Sequence, residues 1–399
     1  MSSYHVLIAT LVLSHTMSGT LSAQNAAESS LSDREVVIGF ERVLHSDILN
    51  EDRELMISLP DRYQAAEDRA YPIFIVLDAR GNFNATSAII HNLARGRVVP
   101  SMIVVGIKNT NRWRDLTPVF WDGMGVPGTG GGDSFVSFLK SELIPYVDSN
   151  WRTSGFRVFS GHSLGGLTAM NILFEQPELF DAYIAISPSL EWGDGFMLER
   201  YRKCLDKNPT LNKLLHMSKG DEQQERIIYA NMVNLMEEKT PRDFLWRSET
   251  FEQEDDHMSM RITGLLAGIR WVFRDWRLTS NRIYAMTDDE IETHFAGATR
   301  RYKEPRSLGM IEMTDAGYWG IYDSKKAERA MELFRLAVKK WPDKAYTVSC
   351  LGEGLEHLGR MDEALVEVER ALRMAKESGV RDLQYYEAIV IRVRNKLGE

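Results

Sequence analysis

The stretch Val158-Phe159-Ser160-Gly161-His162-Ser163-Leu164-Gly165-Gly166 decides how the rest of the chain is read. An apolar, strand-like segment runs directly into G-x-S-x-G, and an apolar, helix-like segment from Leu167 to Phe174 follows at once. A sharp strand-to-helix turn strains the serine backbone and crowds its neighbours, so small residues are needed at Gly161 and Gly165. The hydroxyl of Ser163 is then pushed out at a helix N-terminus, and the same turn aims the backbone N–H of Leu164 at an oxyanion. Ser163 is the candidate nucleophile.

A nucleophilic serine needs a base, and the base needs an orienting acid. Where the nucleophile sits on such a turn, the acid and the histidine follow it in that chain order. Of the nine histidines, His5, His15, His45 and His91 precede the turn and His162 lies inside it. His216 falls in a strand-like run, and His294 and His357 lie beyond the expected core. His257 remains, in a polar loop after the strand-like Phe244 to Phe251 and before an apolar helix from Ser259 to Phe273. The acid is expected just past the preceding strand, in Lys219-Gly220-Asp221-Glu222-Gln223-Gln224-Glu225. Glu222 is the first choice, Asp221 the second, and Glu225 the third because it falls a turn into the next helix. Asp255 and Asp256 rank lower, since a residue adjacent in sequence rarely directs its carboxylate at a neighbour's Nδ1.

These pieces resemble the putative-esterase family, which includes enterochelin esterase-like and esterase D-like α/β-hydrolases. The resemblance rests on Ser163, Gly220-Asp221-Glu222 and His257-Met258-Ser259 in this order. It also rests on His45-Ser46 before Leu49-Asn50-Glu51-Asp52-Arg53, on Leu59-Pro60-Asp61-Arg62-Tyr63, and on Arg112-Trp113-Arg114-Asp115-Leu116-Thr117-Pro118. Val76-Leu77-Asp78 is similar to the family's Leu-Asp-Gly turn, and Ser187-Pro188-Ser189 with Trp192 to its Ser-Pro-Ser and aromatic positions. The likeness covers about residues 36 to 276. It implies a Ser-His-acid ester hydrolase whose second oxyanion N–H comes from the loop after Asp78, from Ala79 or Arg80. Two departures stand out: Ala79 replaces the family's glycine, and Gln223 occupies the position, three past the glycine, where the family often places its acid. Phe83, Trp113 and Trp192 are candidates for the walls of a substrate pocket.

A chain of 399 residues, 44% hydrophobic and 26% charged, can bury a large core and more than one domain. Its formal charge of −9 argues against binding nucleic acid, which needs a basic face. Cys204 and Cys350 are the only cysteines, so neither a disulfide framework nor a CxxC metal site can be built. With no HExxH, no clustered Cys/His ligands and no phosphate loop, no cofactor and no metal are expected. Gly128-Thr129-Gly130-Gly131-Gly132 lacks the ending of a P-loop and reads as a lead-in to a helix capped by Asp133.

Strands are expected near Val36–Leu44, Leu55–Leu59, Ile73–Leu77, Met102–Gly106, Arg157–Ser160, Ala182–Ile186, Leu214–Met217 and Phe244–Phe251. Helices are expected over Ser134–Asp148, Leu164–Glu175, Phe196–Leu205, Glu225–Glu238 and Met260–Trp276. This alternation predicts an α/β fold, the α/β-hydrolase type with a mostly parallel, doubly wound sheet, and reactive loops at the strands' C-terminal ends. A catalytic domain over residues 30–276 is followed by a polar connector, 277–310, with a helix near Asp288 to Ala296. From 311 to 399 a repeat emerges: Ala330, Phe334 and Ala337 recur 34 residues on as Ala364, Val368 and Ala371. This resembles tetratricopeptide repeats, with Asp382 to Leu397 as a capping helix.

Val6 to Leu13 is an apolar run followed by small and polar residues ending Leu21-Ser22-Ala23-Gln24, which reads as a secretory signal over residues 1–23 and predicts an exported, periplasmic or extracellular protein. Ala23 or Ala27 would end the removed segment. No later apolar stretch is long enough to span a bilayer. The function expected is hydrolysis of a small-molecule ester through an acyl-enzyme. The alternatives are an inactive hydrolase-fold scaffold that binds a protein partner, or self-associates, through its repeats, and a serine acyltransferase, thioesterase or peptidase.

Overall fold

A computed structural model of the chain describes residues 35–223, 225–251, 253, 255–323 and 327–398. The expected export signal lies outside them. The chain divides into two compact units, Met1–Ile38 and Gly39–Glu399. In the first, the described residues 35–38 form no helix or strand. The second holds all the elements that follow.

Eight strands form one sheet: β1 Phe40–Ser46, β2 Glu51–Ser58, β3 Tyr71–Val76, β4 Ile103–Ile107, β5 Thr153–His162, β6 Ala182–Ile186, β7 Leu214–Lys219 and β8 Leu245–Thr250. Their order is β1-β2-β4-β3-β5-β6-β7-β8. The first two strands pair antiparallel with each other, β2 pairs antiparallel with β4, and every other pairing is parallel. Runs such as Ile73-Phe74-Ile75-Val76 and Ile103-Val104-Val105 are apolar at every position because helices cover both faces of a parallel sheet. Successive side chains point to opposite faces, so the two cores share these strands alternately.

One face of the sheet takes Ile73, Ile75, Val105, Phe159 and Met217, together with Phe135, Phe138, Leu167, Tyr201 and Met232. The other takes Phe74, Val76, Val104, Val158 and Ile184, together with Phe83, Ile90, Leu265 and Ile269. The covering helices are α1 Ala79–Arg95, α2 Gly132–Phe138, α3 Ile144–Asn150, α4 Leu164–Glu175, α5 Met197–Lys207, α6 Arg226–Lys239 and α7 Met260–Val272. A wide turn, Leu139–Leu143, joins α2 to α3. Helix α1 lies outside the sequence-based expectation. Its Gly81, Asn82, Asn84, Thr86 and Ser87 are poor helix formers, and it is tertiary packing of Phe83 and Ile90 on the sheet that holds it.

Residues 277–310 form packed helices, α8 Ser280–Ala285 and α9 Asp288–Tyr302. A Thr287/Glu290 capping box starts α9. Ala298 and Tyr302 of α9 join the hydrolase core, where the Tyr302 hydroxyl donates to the Val272 carbonyl (2.9 Å). Ile291 and Phe295, on another face of α9, pack with Leu308, Met313, Leu333 and Ala337 of the C-terminal region. One helix thus belongs to two cores.

The C-terminal helices are α10 Met310–Asp323, α11 Ala327–Lys340, α12 Ala345–His357, α13 Met361–Ser378 and α14 Leu383–Leu397. Ala330, Phe334, Ala337, Ala364, Val368 and Ala371 are all buried. Gly317 on α10 lies against Phe334 on α11, and Gly352 on α12 lies against Val368 on α13, so each helix pair approaches through a glycine on its first helix.

A buried ion network ties the sheet edge to the loop after β4. Arg53, 1% exposed, donates from Nη1 to Glu51 (2.7 Å) and to Asp115 (2.6 Å). Arg114 closes the square on the same two carboxylates, at 2.6 Å to Glu51 and 2.7 Å to Asp115. Removing one member leaves a charge buried and underpaired. Asp115→Ala should therefore cost about 3 kcal/mol, read as a fall in the urea midpoint. Replacing Arg53 by Met and Asp115 by Leu together should recover most of that loss; an equal loss in the single and double variants would contradict the assignment.

Candidate active site

Ser163 ends β5 and starts α4 with φ 61° and ψ −121°, a left-handed backbone for a residue that carries a Cβ. Strain of this kind costs about 1–3 kcal/mol and survives only where the surroundings over-determine it. They do so here. A methyl on Gly161 would overlap the backbone of Gly165, and one on Gly166 would press on the Ile186 carbonyl and Pro188. The Ser163 N–H donates to the Ile186 carbonyl (2.9 Å), which fixes the turn to β6. The Ser163 hydroxyl lies 3.2 Å from that of Ser189, and this is the hydrogen bond it makes among the described residues.

His257 and Glu222 meet across two loops. Imidazole Nδ1 lies 3.1 Å from Glu222 Oε1. The loops touch because residue 220 is glycine: a side chain there would strike the Asp255 carbonyl, which instead accepts the Asp221 N–H (2.9 Å). Burial pushes the Glu222 carboxyl up, but the His257 imidazole, the Ser187 hydroxyl and the Lys219 ammonium outweigh it, and the group stays below the usual carboxylate range. Asp221 is exposed and takes a bond from Gln223. Glu225 is pushed up, first by burial and then by the charges of Glu191 and Glu222. Asp256 spends its carboxylate on the backbone N–H groups of Met258 and Ser259 (2.9 and 2.8 Å), shaping the turn into α7.

Asp78, not Ala79, carries the left-handed backbone of the turn before α1 (φ 54°, ψ 43°). Alanine in place of the family's glycine is thereby accommodated, since Ala79 already belongs to the helix. Arg112 grips Asp78 with two bonds (2.8 and 3.2 Å), Asn109 adds a third, and the same guanidinium donates to the His162 carbonyl (3.3 Å). The Arg-x-Arg-Asp segment thus has two ends: Arg114 and Asp115 anchor it in the buried network, and Arg112 braces both turns of the site.

A cavity of about 410 Å³ brings together Ser163, His257, His162, Asp78, Arg80 and Arg112. Arg80, Ala79 and Leu164, the predicted oxyanion donors, occupy the first turns of α1 and α4, where backbone N–H groups lack partners within the helix. The aromatic assignments are corrected. Phe83 is buried against Gly106 and Gly39 in the core. Trp192 is fully buried, packed between a tilted Trp113 and an edge-on Trp121 with its indole N–H on the Val119 carbonyl (3.0 Å). Trp113, half buried against it, does not line the cavity either. These rings are large enough to satisfy the sheet's apolar faces, and that is where they go.

Two residues with no role assigned from sequence complete the geometry. His162 Nε2 lies 2.7 Å from the His257 carbonyl oxygen, with the two rings 4.5 Å apart. Burial first, then the nearby His257, pushes His162 down to about 4, so it is neutral at physiological pH and its Nε2–H donates to that carbonyl. Ser189 faces the Ser163 hydroxyl. Only the meeting of β5, β6 and the loop after β8 brings these groups together. Among the described residues no cluster of His, Cys, Asp and Glu could hold a metal ion, and no helix is long and apolar enough to cross a membrane.

Comparison with known proteins agrees with this architecture. The family model described as putative esterase matches residues 46–278, more than half of the chain. The ferri-bacillibactin esterase BesA of Bacillus subtilis (strain 168) is 29% identical over 170 residues, covering 38% of this chain and 59% of that protein. A solved IroE-like serine hydrolase from Shewanella oneidensis shares 26% identity with a TM-score of 0.63, over 76% of this chain and 99% of its own. An uncharacterised protein from Capnocytophaga ochracea, at 16% identity, matches in fold alone with a TM-score of 0.60, over 90% of this chain and 99% of its own. That share takes in helices beyond the esterase segment. Sheet order, elbow and family match converge: the chain belongs to the putative esterase family.

Proposed function

We propose that the protein is a serine carboxylic ester hydrolase in which Ser163, His257 and Glu222 form the catalytic triad. The observation that carries this reading is a strained, elbow-held serine sharing one cavity with an imidazole whose Nδ1 is held by a buried, ionised carboxylate. Relatives named as esterases support the reaction class. His257 Nε2 takes the Ser163 proton as Oγ bonds to the ester carbonyl carbon, and the carbonyl π pair moves onto oxygen. Glu222 fixes the tautomer by accepting a hydrogen bond from the Nδ1–H and stabilises the imidazolium that forms. The oxyanion is met by the N–H of Leu164 and by those of Ala79 and Arg80 at the start of α1. As the tetrahedral species collapses, the C–O bond to the alcohol breaks and His257 returns its proton to the leaving oxygen. Water then repeats the sequence on the acyl-enzyme and frees the acid. His162, by holding the His257 carbonyl, acts as a positioning residue for the base.

The remaining parts of the reading extend it. We assign residues 30–276 to the catalytic domain and 311–399 to a pair of tetratricopeptide-like units with a capping helix, on the support of the glycine contacts made by the repeat-related Phe334 and Val368. The apolar run Val6 to Leu13 supports export. The helical units are the surface through which a protein partner or a second copy would be held.

Three outcomes test the site. Ser163→Ala should lower turnover of 4-nitrophenyl esters by about 10⁴-fold or more while the circular dichroism spectrum is retained; undiminished turnover would remove Ser163 from the mechanism. Glu222→Gln should lower kcat by about 10³–10⁴-fold, against a change of a few-fold for Asp221→Asn, and the reverse ranking would move the acid. His162 is held below its unfolded value, so the unfolded chain binds its proton first as pH falls from about 6.5 to about 4, and stability drains away over that window. His162→Gln keeps a donor without that titration and should reduce the stability lost between pH 7 and 4.5 by about 1–3 kcal/mol. Parallel pH profiles of the urea midpoint in the two proteins would contradict this.

A further inference from the structure

The cavity beside Ser163 is basic in a chain that is otherwise acidic. Arg80, Arg112 and Arg261 line it, and Asp78 is the carboxylate that lines it with them. Asp78 is already consumed by the two bonds from Arg112. Arg80 approaches Glu54 only to 3.8 Å, and that carboxylate is held by Lys108 at 2.9 Å. Arg261 donates from Nε to the Met258 carbonyl (3.0 Å), and no carboxylate among the described residues lies within 4 Å of it. Glu222, Asp255 and Asp256 sit on the same loops but do not line the cavity.

Several buried or half-buried arginines elsewhere pair with carboxylates, as at Arg53, Arg114 and Arg306, while Arg152 and Arg277 donate to backbone carbonyls. With 57 acidic residues against 48 basic ones, carboxylates were not scarce. The Arg261 guanidinium reaches over Gly81, the residue after Arg80, so two guanidiniums face the same space, Arg80 exposed with only a loose ion pair to Glu54 and Arg261 with no carboxylate within 4 Å among the described residues. Such an arrangement is unfavourable until an anion enters between them, and a guanidinium presents planar paired donors that match a carboxylate or a comparable oxyanion.

We propose that the site selects esters carrying a negatively charged oxyanion group, which Arg261, assisted by Arg80, binds while the scissile carbonyl lies at Ser163. This deepens, and rests on, the serine hydrolase reading. The anionic group belongs either to the acid half or to the alcohol half of the ester, and the two arms of the test separate them.

The test compares kcat/KM within two matched pairs at low ionic strength. For the acid half these are mono-(4-nitrophenyl) glutarate and 4-nitrophenyl pentanoate; for the alcohol half, 4-butanoyloxybenzoate and its methyl ester. In one pair the anionic member should be preferred about tenfold or more. Arg261→Gln should lower that ratio about tenfold, Arg261→Lys should restore part of it, and Arg261→Glu should invert it. No preference in either pair, or a preference that survives Arg261→Glu, would overturn the proposal. Calorimetric titration of the same esters into Ser163→Ala keeps the two readings distinguishable. Turnover absent from every ester, with selective anionic binding that Arg261→Glu abolishes, would overturn the hydrolase reading and uphold the anion site. Turnover of the neutral esters without selective binding would do the opposite.

Discussion

Ser163 holds a backbone conformation that an L-residue avoids, and the interactions that enforce it organise everything around it. The turn closes because Gly161 and Gly165 let β5 and α4 meet without side chains between them. Gly166 lets α4 settle on the end of β6, whose Ile186 carbonyl receives the serine N–H. Strand β5 is central in the sheet, between β3 and β6, so the elbow cannot relax without disturbing pairings on both sides. The strain is held by the sheet, and the hydroxyl is delivered to the C-terminal edge of the strands.

Each remaining piece of the site is tied to that edge by a polar contact made between different loops. Arg112 bridges the turn before α1 and the elbow itself, through Asp78 and the His162 carbonyl. It is aimed by its neighbours Arg114 and Asp115, which are locked into the buried square with Arg53 and Glu51. His162 reaches across to the His257 carbonyl, and Gly220 allows the acid loop to rest on the base loop. These contacts set the positions of Ser163, His257 and Glu222 relative to one another. The guanidiniums of Arg80 and Arg261 face the cavity.

The C-terminal helices join this core through α9, a helix shared by two apolar clusters. Tyr302 packs against Phe156, Phe273 and Trp276 on the hydrolase side, while Phe295 packs with Met313 and Leu333 on the other. Ion pairs run alongside it, Arg69 to Glu304 and Lys303 to Asp181, each at 2.7 Å. A polar stretch such as 277–310 hides this in sequence, because a helix that divides its apolar residues between two partners shows no single strong stripe.

Much was legible in the chain itself. Apolar runs marked the central strands, because strands buried on both faces must be apolar throughout, while the edge strands β1 and β8 keep polar residues where they face solvent. Glycines flanking one serine marked the elbow, because only glycine fits where two backbones cross. Chain order and loop position narrowed the histidines to His257. Glu222 could be ranked but not separated from Asp221 and Glu225, since three carboxylates in five residues differ only in the direction they point. The walls of the pocket were misread, because a large ring reads the same whether it lines a cavity or fills a core, and Phe83 and Trp192 fill cores. The roles of His162 and Arg261, and the shared helix α9, depend on loops far apart in sequence coming together. The sequence by itself determined the fold and the elbow that carries Ser163, through local patterns that backbone geometry demands. Which carboxylate faces His257, which rings leave the site and which arginines face the cavity were decided only in the tertiary structure, because direction, burial and pairing are properties of neighbours the chain brings together when it folds.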